Sequence, residues 1–186
     1  MSIKVITASG MPEYAELVRS GSGYSGMSVA AIAGLVVRPT TTAALEIHNT
    51  TAVRGASLII DRLFFFNLVS TNVIESFSGW AQVTASKTAP TAEATFVVRG
   101  SSGKAYGGNV VGDFATTVVD SGWFPWTNAI QKGAGGVVPF GAQIAEVDGR
   151  LIVPPGSSLC LHVVSSLVGQ TFTQGASWYE KVLTIE

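Results

Sequence analysis

Charge is what this chain has least of. Only 12% of its 186 residues are Asp, Glu, Lys or Arg, about half the roughly 25% usual in a soluble domain. Twelve acids against eleven bases leave a formal net charge of -1, so there is no basic field to draw a nucleic acid. Cys160 is the single cysteine, which excludes an intramolecular disulfide and any Cys-rich metal site. His48 and His162 are the only histidines, and no D-x-D or H-x-H spacing occurs; nothing calls for a metal or another cofactor. There is no G-x-S-x-G elbow. The longest unbroken apolar-or-glycine run, Val29 to Val37, is too short to cross a bilayer, so no membrane partner is expected. The N-terminus has no long apolar core behind a basic start, so synthesis in a cytoplasm is expected. The sequon Asn49-Thr50-Thr51 then has no glycan to receive.

What the chain does have is apolar residues, 47% of the total, and a mean hydropathy of +0.40. Its length suits one domain with a sizeable core. A monomer so short of charge would leave apolar surface in water, and such surface marks an interface with copies of itself or another partner. The organising stretch is Arg150 to Tyr179. A short strand, Leu151 to Val153, runs into Pro154-Pro155-Gly156, where two prolines deny the ladder its donors and turn the chain. Leu159, Leu161 and Val163 then alternate with Ser158, Cys160 and His162, the period of a half-buried strand. A loop holding Gly169 follows, and Gly175 opens a closing segment of β-formers, Trp178 to Ile185. Together these predict one edge of a β-sandwich.

Elsewhere strands are expected at Leu35–Val37, Ala44–His48, Gly79–Ser86, Ala94–Arg99, Phe114–Val119 and Gln143–Val147. The strongest run, Leu58 to Leu68, is apolar on both faces and so should be central or covered on both sides. Loops are expected at Lys87–Ala92 around Pro90 and at Gly133–Gly136, a long hairpin loop at Ser101–Gly112, and a tight turn at Asp148-Gly149. Eight to ten short strands with almost no helical period describe an all-β fold, an antiparallel β-sandwich of jelly-roll type. Residues 1–33 differ: they are rich in Ser, Gly and Ala and do not alternate. They are read as an irregular N-terminal arm, with a helical turn or two after Pro12, and residues 34–186 as the sandwich domain.

Several constellations admit two readings. Gly21-Ser22-Gly23-Tyr24-Ser25-Gly26 matches G-x-G-x-x-G, but it lacks the strand before and the helix after that a dinucleotide needs. Cys160 and His162 share a face, and a thiolate–imidazole nucleophile is conceivable, yet packing accounts for them better. Asp61 is read as the ion-pair neighbour of Arg62. Trp123, Phe124 and Trp126 either seal one end of the sandwich or bind a sugar or a partner. Tyr14, Leu17, Val18 and Tyr24 are the apolar anchors an arm could use on a partner. No catalytic residue is assigned.

The segments Ala44-Leu45-Glu46-Ile47-His48-Asn49, Gly55 to Phe64, Asp148 to Gly156 and Gly175-Ala176-Ser177-Trp178-Tyr179-Glu180 together resemble a group of tailed-phage jelly-roll virion proteins. Those are capsid decoration or cement proteins and head spikes, commonly trimers. The resemblance implies a non-enzymatic protein made in a bacterial host and carried on the capsid surface. It would bind itself and the major capsid protein or another virion protein. The rival expectation is a carbohydrate- or receptor-binding module of a spike or fibre, built on Trp123, Trp126 and the loop Ser101–Gly112.

Overall fold

The computed structural model describes residues 13–52, 54–69, 74–85, 90–103, 106, 109–119, 122–132 and 141–183. One helix, α1 (Glu13–Ser20), comes first. The strands are β1 (Gly23–Ser28), β2 (Ile32–Ala33), β3 (Thr42–Asn49), β4 (Ala56–Val69), β5 (Ile74–Ala85), β6 (Phe96–Gly100), β7 (Val110–Thr117), β8 (Phe124–Pro125), β9 (Ala129–Lys132), β10 (Gly141–Glu146), β11 (Ile152–Val153), β12 (Ser157–Ser165) and β13 (Thr171–Val182). They exceed the eight to ten expected because β2, β8, β9 and β11 are short pieces of two to four residues. The strands form two antiparallel sheets. The first runs β10-β4-β13-β1-β6, with β11 also on β4 and β2 on β13; the second runs β7-β3-β12-β5-β8, with β9 also on β5. The all-β antiparallel sandwich is therefore what forms. These strand orders do not by themselves establish jelly-roll connectivity.

The alternating runs explain the core. Leu45 and Ile47 of β3, Leu58, Ile60, Leu63 and Phe65 of β4, Leu159, Leu161 and Val163 of β12, and Phe172, Ala176 and Trp178 of β13 meet in one buried cluster. Each large side chain so placed is worth about 1.5–3 kcal/mol relative to exposure. Between Ser177 and Trp178 the pairing with β4 shifts by one residue. That bulge lets Ile60 and Leu63, three apart in sequence, both face inward. Asn49 is wholly buried, and its amide donates to the carbonyls of Ala56 and Val153 at 2.9 and 3.1 Å, so the sequon asparagine serves as an internal tie.

Several expectations are corrected. Arg150 to Tyr179 does not make an edge: β12 lies between β3 and β5, and β13 between β4 and β1. The corner at Pro154-Pro155-Gly156 carries the chain from β11 in the first sheet to β12 in the second, with Gly156 at φ 74°. Ser101–Gly112 is not a hairpin loop, because β6 and β7 belong to different sheets; residues 104, 105, 107 and 108 lie outside the described residues. So do residue 86 of the expected strand Gly79–Ser86, residues 87–89 of the loop around Pro90 and the whole of Gly133–Gly136. Leu35–Val37 contributes only a single bridge, Leu35 to Val164.

The largest correction concerns the N-terminal segment. Residues 1–12 lie outside the described residues, but β1 is an interior strand of the first sheet. Tyr24–Met27 pair with Trp178–Gly175 on one side and with Gly100–Val97 on the other. The alternation is there but hidden. Tyr24, Gly26 and Ser28 face inward, and a Cβ on Gly26 would lie 2.7 Å from Phe96 and 2.9 Å from Trp178. Neighbouring rings fill the space that an apolar side chain would have announced. The glycine-rich motif is explained the same way. The Gly21 amide donates to Val18 O and the Ser22 amide to Leu17 O, with Gly21 at φ 84°. This is the Schellman closure of α1. The chain then passes from helix into strand, the reverse of the order a dinucleotide fingerprint needs.

Candidate interaction surface

The two outer faces of the sandwich differ. On the second sheet, Ala43, Val118, Trp123 and Cys160 form a small buried cluster against which Trp80 packs, so the segment after β7 covers the middle of that face. Trp123 is almost fully buried, and its indole N–H donates to Thr40 O at 2.8 Å. Its ring meets His162 edge-on, with centroids 6.4 Å apart. Burial, opposed in part by a backbone hydrogen bond at Val163, holds the His162 pKa below its ordinary value. Cys160 is fully buried, and burial, then the nearby Glu46 carboxylate, push its thiol up. Both side chains are packed beneath the cover of this face. Ser158 Oγ donates to Glu46 Oε1 at 2.5 Å and lies 2.8 Å from His48 Nδ1. This joins the three residues in a serine–histidine–acid chain that alternation alone did not reveal. Ser158 and Glu46 have no exposed surface, so the chain ties β3 to β12 rather than presenting a nucleophile. Among the described residues no group of three or more His, Cys, Asp or Glu converges on a possible metal position.

On the outer face of the first sheet, α1 covers one end, where Val18 and Tyr179 crowd Gly23; the other end has no such cover among the described residues. Pairing registers place Ile144, Phe64, Gly175, Met27 and Val97 side by side, one from each of β10, β4, β13, β1 and β6. Gly175 lies mid-row because a Cβ there would come within 2.1 Å of Gly26 O. Beside it runs a groove walled by Met27, Phe64, Phe66 and Val97 and edged by Val29, Ile144 and Arg99. Phe64 and Phe66 stack with centroids 6.3 Å apart. Ile144 and Val29 are 52% and 57% exposed. Two residues along the strands runs a polar row, Glu146, Arg62, Ser177, Ser25 and Arg99. There Arg62 Nε sits 2.9 Å from Glu146 and 3.7 Å from Asp61. Glu146, across the strand, is thus the closer partner, though an exposed pair of this kind adds little stability. The run Leu58 to Leu68 is expected to be central or covered on both sides; β4 is central, between β10 and β13, and the described residues put no cover over Phe64 and Phe66.

The named anchors fall in different places. Tyr14 is 58% exposed on α1, while Leu17 and Val18 are half-buried, and α1 packs on β1 and β13. Tyr24 packs into the main core, donates its hydroxyl to Gly21 O and meets Tyr106 edge-on at 4.7 Å. Leu17, Val18 and Tyr24 therefore make contacts within this chain. The aromatic trio divides: Trp123 is core, Phe124 is 67% exposed, and Trp126 is half-buried beneath the Arg150 guanidinium at 5.5 Å. Tyr106 of the loop Ser101–Gly112 packs on Tyr24 and Trp178 of the first sheet, whereas Trp123 and Trp126 adjoin the second. The sugar site built from all of these is not brought together. No helix of the described residues is long and apolar enough to cross a membrane. Comparison with protein-family models, curated proteins and solved structures finds no match to this chain.

Proposed function

We propose that this chain is a non-enzymatic structural protein of a phage virion, seated on the capsid surface as a decoration or cement protein and working as a homotrimer. The observation that carries the proposal is the apolar row across five strands of one sheet that no described residue covers. Contiguous apolar surface of this kind is uncommon on a monomer and marks an association face. The low charge of the whole chain and the resemblance of its strand motifs to virion jelly rolls support the same reading. In the assembled particle this face meets a neighbouring copy, and many shallow contacts repeated over a lattice give avidity without a strong single site.

Light scattering at micromolar concentration tests it. The expected mass is three times the 19.3 kDa of the chain. Phe64→Glu, which sets a charge in the groove and leaves the inner core untouched, should give a folded monomer that no longer co-sediments with capsids. A wild-type protein that stays a soluble monomer and ignores capsids would end the proposal.

A further inference from the structure

We propose a second, independent site: a shallow recess on the second sheet that binds a neutral sugar ring. Its walls are Ser78 and Trp80 of β5 and the Pro125-Trp126-Thr127-Asn128 segment, around a space of about 460 Å³. That is within the size range of small-molecule sites. The segment is fixed to β5 before any ligand arrives. The Trp126 and Thr127 amides donate to Gly79 O at 2.8 and 3.3 Å, the Gly79 amide donates to Thr127 Oγ1 at 2.9 Å, and Pro125 pairs with Trp80. Walls held in this way lose little entropy on binding.

The chemistry of the lining selects the ligand. The Trp80 indole offers a face for the C–H side of a pyranose, and the Trp126 ring, held between Arg150 and the main core, forms a fixed wall beside it. The Ser78 and Thr127 hydroxyls and the exposed Asn128 amide supply donors and acceptors of the kind that sugar hydroxyls require. Among the described residues no Asp, Glu or Lys lines the recess. Arg150 stacks on Trp126 and donates to the Val147 and Glu146 carbonyls. Those lining residues offer a carboxylated sugar no free positive charge, so the recess takes neutral hexoses and N-acetylhexosamines. Trp80 and Asn128, which the sequence did not single out, are its specificity residues.

The test uses the full chain on an array of neutral and sialylated oligosaccharides, followed by tryptophan-fluorescence titration with the neutral hits. Binding of at least one neutral oligosaccharide is expected, weakened about tenfold by Asn128→Ala, the value of one well-made hydrogen bond. Trp80→Phe should weaken it further. Asn128 is exposed, so its variant folds even if Trp80→Phe does not. The Phe64→Glu monomer should bind the same sugars equally well, so this site and the virion proposal can fail separately. No neutral ligand on the array, a preference for sialylated ones, or unchanged affinity in Asn128→Ala would overturn the assignment.

Discussion

Replacing Gly26 by alanine asks whether the N-terminal segment belongs to the fold. The added methyl would sit 2.7 Å from Phe96 Cζ and 2.9 Å from Trp178 Cη2. Trp178 is 1% exposed and cannot swing out. Phe96 is pinned from the other side, since it lies against Gly112, where a Cβ would come within 2.1 Å of the ring. Strand β1 is itself held on both edges by β13 and β6. With no room to relax, overpacking costs about 1–3 kcal/mol. For a chain of this size, each kcal/mol lowers the melting temperature by about 2–4 °C. Ser25→Ala in the same strand, facing outward, is the control and should stay within about 0.5 kcal/mol. Denaturant and thermal melts read both. An arm outside the fold would give no loss from Gly26→Ala, and a compatible exposed position would even gain about 0.4–1 kcal/mol. A Gly26→Ala protein that melts with Ser25→Ala would refute β1 as an interior strand.

Two further outcomes follow from the same geometry. Gly156→Val should destabilise by about 1 kcal/mol or more through backbone strain alone, because φ is 74° with open space around the site; an unchanged melting temperature would contradict that conformation. His162 is held neutral by burial, so the unfolded chain takes up its proton first. Its contribution is intact above about pH 6.5 and is lost as pH falls below that value. The urea midpoint of wild type should therefore drop between pH 7 and 5 more steeply than that of His162→Phe, and parallel curves would count against it.

Sequence and structure agree where apolar residues alternate with polar ones. The inward faces of β3, β4 and β12 could be read directly from Leu45 and Ile47, from Leu58 to Leu68, and from Leu159 to Val163. They part where glycine does the packing. At Gly26, Gly79 and Gly112 the inward position is filled by a ring from another strand, Phe96, Phe65 or Trp178, and a periodicity count sees only a gap. That is how an interior strand came to look like an arm. The apolar groove was half legible: Phe64 and Phe66 showed a second apolar face on β4. Its other members, Met27, Val97 and Ile144, come together only through strand order, which no local pattern encodes. The aromatic trio failed as a unit for a related reason. Trp123 and Phe124 are adjacent and leave the backbone in opposite directions, and Trp126 is held under Arg150 and against the main core, so the three do not share one surface.

The two outer faces divide the work. On the second sheet the chain supplies its own cover: Val118 and Trp123 close over Cys160, and Glu46, Ser158 and His162 are buried with it. What stays open there is the small aromatic recess at β5 and β8, lined with hydrogen-bonding groups. On the first sheet the described residues supply no cover over a row of five strands, and the groove is almost wholly apolar. Water penalises the first kind of surface little and the second heavily, in proportion to apolar area. A partner that buries the first sheet therefore gains most, and it would leave the opposite face pointing away from the contact. Because the two surfaces lie on opposite sides of one sandwich, seating the protein through β4 and β13 leaves the recess at Trp80 and Trp126 free. If both proposals hold, the same chain would hold a lattice with one face and meet a small neutral ligand with the other, and neither role asks for a residue the other uses.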